Sequence, residues 1–214
     1  MLNWYLQSGN DSDVVLSTRI RTARNIKGFP FVNRYTKKDA LKIIEIVEEA
    51  VNSLGYGLKV IKLKDLDDVT KLSLVEKHII SPEFAYNKNE IGAIAINDDE
   101  NICIMINEED HIRIQVFSAG QELKNALNLE MEIDEKLSKL IPYSYSEKYG
   151  FLTSCPTNVG TGLRSSVMVH LPALTKTGNI RKVLEVVNGF DMNIRGLYGE
   201  GSKVSGDIYQ ISNK

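Results

Sequence analysis

The amino-acid sequence predicts an α+β fold with a largely antiparallel sheet. Short apolar runs come paired as hairpins, as at residues 91–97 and 101–107 across Asp98-Asp99-Glu100. Helical runs separate groups of strands instead of following every strand, which disfavours a regular βαβ succession and a doubly wound nucleotide fold.

Each element has its own signal. Residues 13–20 alternate Val14, Leu16 and Thr18 against Val15, Ser17 and Arg19, the period of a strand. Residues 37–54 give the clearest helix. Its apolar face is Leu41, Ile44, Ile46, Val47, Ala50, Val51 and Leu54, with Thr36 placed to cap the start and Gly55 to stop the end. A strand at 57–63 and a short helix at 69–78 follow, the helix ending before Ser81-Pro82. After the hairpin come a strand at 111–117 and a helical stretch at 118–140, with acidic residues solvating one side. A strand near 149–154 leads into a glycine-rich loop and the alternating run 165–171. A helix at 179–188 and strands at 192–197 and 207–212 complete the series. No repeat, low-complexity tract or clear linker divides the chain.

The totals exclude several function classes. Of 214 residues, 43% are hydrophobic and 25% charged, the balance of an ordinary soluble globular protein. The 26 basic and 28 acidic residues leave a net charge of −2, which gives no bulk attraction to nucleic acid or an anionic membrane. The start of the chain has no secretory signal, and no apolar run reaches membrane-spanning length. Cys103 and Cys155 form no metal-ligand or disulfide pattern, so a reducing cytoplasm fits best.

Arginine is used sparingly: eight residues against eighteen lysines. Four of the eight sit in Ser17-Thr18-Arg19-Ile20-Arg21, Asn107-Glu108-Glu109-Asp110-His111-Ile112-Arg113 and Cys155-Pro156-Thr157-Asn158-Val159-Gly160-Thr161-Gly162-Leu163-Arg164. A fifth opens Arg195-Gly196-Leu197-Tyr198-Gly199-Glu200-Gly201. A guanidinium grips phosphate or carboxylate oxygens with two parallel bonds, so these motifs fit a polyphosphate site. Surface ion pairing is the ordinary alternative for any one of them.

The remaining candidates are weighed the same way. The loop Val159-Gly160-Thr161-Gly162 is too short for a Walker P-loop and lacks its lysine. Glu108, Glu109 and Asp110 follow an apolar strand and read either as a solvated turn or as holders of a cationic substrate. Glu200, between Gly199 and Gly201, can supply a second carboxylate. Cys155 precedes a proline and reads as extended, with an inert buried thiol set against a thiolate polarised by arginines. Cys103 reads as core, and His111 and His170 as structural. His78 either faces a ligand or caps its helix.

Together these segments resemble the ATP:guanido phosphotransferases, the family of creatine and arginine kinases. The basis is Cys155 to Arg164 and Asn107 to Arg113. Within the family the chain is most similar to the bacterial protein-arginine kinases, on Val75-Glu76-Lys77-His78-Ile79-Ile80-Ser81-Pro82, Asn107 to Gln115 and Arg195 to Ser202. The resemblance implies a central antiparallel sheet flanked by helices, as in glutamine synthetase-like folds, and transfer of the ATP γ-phosphoryl group to a guanidinium nitrogen. It implies that Glu109, Glu200 and Cys155 are catalytic. It places ATP on Ser17, Thr18, Arg19, Ile20, Arg21, His78, Arg113, Arg164, Ser165, Ser166, Val167 and Met168. Arg195, Gly196, Leu197, Tyr198, Gly199 and Glu200 complete that set. Mg²⁺ is expected to ride on phosphates and water, with no dedicated protein ligands.

The resemblance covers 13–214, after a lead-in at 1–12. The small N-terminal helical domain of creatine and arginine kinases is expected to be absent, which favours an open site and a protein side chain as acceptor. The C-terminal end is expected to be truncated, without the helical domain linked to dimerisation and phosphoarginine recognition. The implied partners are proteins with exposed arginine, among them a heat-shock repressor and Clp protease components, together with an activator protein, in a cytoplasmic stress response. Two rivals stand beside this expectation: a kinase for a small guanidino compound, and a non-catalytic remnant that still binds nucleotide.

Overall fold

The computed structural model describes residues 3–86, 91–196 and 206–213. Eight strands share one sheet in the order β2-β3-β4-β5-β1-β8-β10-β9, and β6 and β7 form a separate two-stranded ribbon. The chain divides into two compact units. One holds Arg21–Val116 and Asn128–Leu163, the other Leu2–Ile20, Phe117–Leu127 and Arg164–Lys214.

The first unit takes the end of β1 (Val15–Arg24), which runs four residues beyond the predicted strand. Helix α1 (Lys37–Asn52) follows. Thr36 accepts from the Asp39 amide while the Asp39 carboxylate accepts from the Thr36 amide, a reciprocal cap that satisfies two otherwise unpaired donors. The buried face of α1 is Ala40, Ile43, Ile44, Val47, Ala50 and Val51, with Leu54 buried just beyond it. Leu41, predicted to be apolar-facing, is exposed. Adjacent apolar residues offer two overlapping stripes, and packing on the sheet selects the one through Ile43.

That stripe lies against β2 (Lys59–Lys62), β3 (Ala93–Ile96) and β4 (Ile102–Ile106). Between β2 and β3 lie α2 (Asp68–Glu76) and the short α3 (Pro82–Ala85). Helix α2 ends before Ser81-Pro82, as the sequence predicts. Pro82 then opens the additional α3, with the Ser81 hydroxyl accepting from the Phe84 amide. Strands β3, β4 and the following β5 (Ile112–Ala119) pair antiparallel, as predicted for the hairpin. Every residue of β3 and β4 is buried. Fully burying such Ile and Met side chains stabilises the fold by about 1.5–3 kcal/mol each.

Helix α4 spans Leu123–Leu140, so residues 118–119, predicted to be helical, belong to β5 instead. The predicted strand near 149–154 is only a two-residue β7 (Gly150–Phe151), paired with β6 (Tyr145–Ser146).

In the second unit, β8 (Leu163–His170) and β10 (Ile208–Asn213) pair antiparallel. Helices α5 (Pro172–Lys176) and α6 (Ile180–Gly189) come between β8 and β9 (Met192–Arg195). Strand β9 pairs antiparallel with β10 and carries α6 against it. The Val14 carbonyl accepts from the His170 amide, fixing the start of β1 beside β8. Among the described residues, no helix is long and apolar enough to cross a membrane.

Candidate functional site

In the first unit, the β4–β5 turn carries the acidic motif. Asn107 has φ +62° and is buried. Its side chain donates to the Ala40 and Ile91 carbonyls, and its amide donates to the His111 carbonyl, closing the turn. Asn is among the few residues other than Gly that tolerate this left-handed conformation.

The three carboxylates then take separate environments, so the motif is not a uniformly solvated turn. Glu108 Oε2 meets Arg113 Nη1 at 2.9 Å, and Glu108 Oε1 accepts from Ser81 Oγ at 3.3 Å. Glu109 Oε2 meets Arg113 Nη2 at 2.6 Å while its side chain stays 42% exposed. Asp110 is fully buried, and its Oδ1 accepts from Asn25 Nδ2 at 2.6 Å and from the Ser154 amide at 2.7 Å. A buried carboxylate needs such donors, because desolvation without them is costly.

These bonds bring two predicted residues into one neighbourhood. Asp110 adjoins Glu109 and Ser154 adjoins Cys155, so one buried carboxylate ties the acidic turn to the cysteine loop. Asn25 extends the tie: its Oδ1 accepts from the His111 amide and its Nδ2 also donates to the Leu152 carbonyl. His111 Nδ1 accepts from the Ile26 amide, which leaves Nε2 to donate to the Pro30 carbonyl. Burial holds its pKa below the ordinary histidine value. It is structural, as expected.

Cys155 is half-buried, extended, and places Sγ 3.0 Å from Thr157 Oγ1. Cys103 is fully buried in β4, and burial pushes its thiol up to about 12, so it is inert core. His78 sits just past α2 with φ +58°, its amide donating to the Val75 carbonyl. Its neighbour Ile79 accepts from Gln115 Nε2 through the carbonyl, which fixes that corner to the strand bearing Arg113. Arg21 lies half-buried on β1.

The second unit holds the other predicted residues. Thr18 is fully buried. Its hydroxyl donates to the Gly120 carbonyl and accepts from the Glu122 amide, a structural use of the Ser17-Thr18 motif. Ser17 and Ile20 are buried and Arg19 is half-buried, its carbonyl accepting from Ser166 Oγ. On β8, alternation separates Arg164, Ser166 and Met168 from Ser165 and Val167. Register places Ser166 opposite Ser212, Met168 opposite Gln210, and Gln210 opposite Arg195. Arg164, Ser166, Met168 and Arg195 therefore share a face, and Ser165 and Val167 take the other. Arg164 Nε donates to Ser212 Oγ at 3.4 Å, while the Ser165 amide donates to Asn213 Oδ1. Gly196 ends the described part of that segment. Leu197, Tyr198, Gly199 and Glu200 lie outside the described residues.

The family model for the ATP:guanido phosphotransferase C-terminal catalytic domain matches residues 42–214. The chain belongs to the ATP:guanido phosphotransferase family. A protein-arginine kinase of Geobacillus kaustophilus is 45% identical over 99% of this chain and 59% of its own length. One of Caldanaerobacter subterraneus is 47% identical over 95% of this chain and 61% of its own. The chain thus spans about three-fifths of these curated relatives. Among solved structures, the duplicated taurocyamine kinase of Schistosoma mansoni with bound transition state analog components superposes with a TM-score of 0.87. It is 27% identical, and the match covers 100% of this chain and 31% of that one. A lombricine kinase gives a TM-score of 0.81 at 26% identity, covering 99% and 61%. The α+β antiparallel fold of the family is the fold found here.

Sequence reasoning left two roles open and missed one participant. Glu108 shares Arg113 with Glu109, Asp110 is a buried anchor, and Arg24 braces the glycine loop. Only the family motif pointed near the first two. Arg24 lies outside every arginine motif.

Proposed function

We propose that this chain is the phosphotransfer part of a protein-arginine kinase, moving the ATP γ-phosphoryl group to an arginine side chain and giving ADP and phosphoarginine. The observation that carries the reading is the half-exposed Glu109 carboxylate, beside the Arg113 guanidinium at 2.6 Å, in a chain 45% identical to proteins of that name.

A guanidinium has a pKa above about 12, so a carboxylate cannot strip its proton in the ground state. Glu109, joined by Glu200, orients the acceptor nitrogen instead. As the N–P bond forms and the bond from γ-phosphorus to the bridging oxygen breaks, that nitrogen acidifies and its proton passes to a carboxylate. On the family reading, Arg19, Arg21, Arg113, Arg164 and Arg195 spread the charge of the transferring group. Catalysis then rests on positioning and electrostatics.

Among the described residues, no group of three His, Cys, Asp or Glu side chains is gathered to hold a metal ion. On the family reading Mg²⁺ would be carried on ATP oxygens and water, where it would neutralise phosphate charge. A cytoplasmic stress-response setting, with a heat-shock repressor, Clp components and an activator protein, follows from the same family reading.

The taurocyamine and lombricine kinase neighbours favour one second reading, a small guanidino acceptor. Rates on free arginine, taurocyamine and lombricine compared with an arginine-rich protein separate the two. Glu109→Ala tests the shared chemistry: turnover falls by orders of magnitude with modest loss of ATP binding. Unchanged turnover contradicts it.

A further inference from the structure

Arg24 makes a set of directed contacts with α4 and the loop before β8, and no step of the proposed chemistry uses it. Its side chain is nearly fully buried. Nη2 meets Asp134 Oδ2 on α4 at 2.7 Å and Nε reaches Asp134 Oδ1 at 3.1 Å, a two-pronged grip. Nη1 donates at 2.8 Å to the Ala23 carbonyl and at 2.8 Å to the Thr161 carbonyl. The guanidinium carbon lies 3.7 Å from the centre of the Phe151 ring.

Thr161 and Phe151 are the two ends of the loop that carries Cys155. Phe151 and Gly160 exchange backbone bonds of 2.8 and 3.1 Å, which close the loop at its base. The Gly162 carbonyl accepts from the Ala23 amide, and Gly162 itself has φ +63°. A Cβ there would stand 2.7 Å from Arg24 Nη1, so glycine leaves room for this arginine.

We infer that Arg24, held by Asp134, is a positioning residue that sets the Cys155 loop for phosphoryl transfer by gripping its two ends, Phe151 and Thr161. Lysine cannot reproduce this, because one ammonium cannot form the planar fork, the stack and the carbonyl bond together. The consequence for turnover rests on the phosphotransfer reading, whereas the consequence for loop geometry does not.

Two variants test it in the full chain. Arg24→Lys keeps a charge opposite Asp134 and loses the fork. Arg24→Met with Asp134→Leu replaces the pair by apolar groups, a change that buried ion pairs often tolerate in stability. Native-state alkylation by iodoacetamide is followed at both cysteines by peptide mass, with buried Cys103 reporting the integrity of the fold. The expected result is Cys103 still protected, Cys155 alkylated at least about fivefold faster, kcat at least about tenfold lower and KM for ATP within about twofold. Cys155 reactivity within twofold of the parent in both variants overturns the assignment. So does faster alkylation with unchanged kcat, and so does loss of Cys103 protection in both, which would make the pair a folding element. A parent chain without phosphotransfer defeats the functional reading instead, and alkylation alone then decides whether Arg24 sets the loop.

Discussion

Arg113 Nη2 lies 2.6 Å from Glu109 Oε2 while its Nη1 lies 2.9 Å from Glu108 Oε2, so one guanidinium spans two adjacent carboxylates. The turn between β4 and β5 is thus held to the following strand through both terminal nitrogens of Arg113. Arg113→Lys retains the charge but cannot bridge both acids. The expected outcome is ATP affinity and kcat each lower by roughly tenfold or more, equivalent to about 1.4 kcal/mol. Steady-state kinetics at varied ATP measures it, and an unchanged pair of constants removes Arg113 from the phosphate site.

Asp110 predicts a graded stability series. Asp110→Ala deletes the acceptor for Asn25 Nδ2 and the Ser154 amide, leaving both donors buried. A loss of about 3 kcal/mol is expected. Asp110→Asn keeps one acceptor oxygen and should lose less. Urea unfolding midpoints order the three proteins, and equal losses for the two variants would contradict the anchor role.

His111 and Glu130 give opposite pH dependences. His111 is held below 6.5 by burial, so the native state resists a proton that the unfolded chain accepts. Its contribution is present above 6.5 and is lost as pH falls from there toward the lowered native value. Glu130 is pushed up to about 7 by burial, while the Thr22 hydroxyl donates to it. Its neutral form is favoured in the fold, so stability is lost as pH rises from 4.5 to about 7. Glu130→Gln keeps an acceptor for Thr22 and removes that loss. It should be more stable than the parent at pH 8, by on the order of 3 kcal/mol, and no less stable at pH 4. Thermal melts at the two pH values check the sign.

Thr36→Ala removes one half of the reciprocal cap on α1 and should cost about 1 kcal/mol. Asp39→Ala removes the other half. Because both belong to one device, the double variant should lose less than the sum of the singles. Denaturant midpoints of the three variants test this coupling.

The fold was legible where the signal is local. Thr36 marks the start of α1 and Gly55 its end, each from its own neighbourhood in sequence, and the hairpin at β3 and β4 needed only alternation and a polar turn. Leu41 misled because adjacent apolar residues define two stripes, and only contact with the sheet chooses between them. Burial of Asp110 was not legible. Its partners Asn25 and Ser154 are 85 and 44 residues away, and a run of three acids looks solvated without them. The predicted nucleotide run Ser165 to Met168 was continuous in sequence, yet strand alternation sends its side chains to two faces. Arg24 carried no motif at all, and its role exists only through Asp134, Phe151 and Thr161.

The most direct test of the central claim is mass spectrometry of an arginine-rich protein such as casein after incubation with this chain and Mg-ATP, under conditions that preserve acid-labile phosphoramidate. Phosphoarginine is expected with the parent chain and absent with Glu109→Ala. Its absence from the parent reaction while ATP still binds, or its persistence in the Glu109→Ala control, would contradict the assignment.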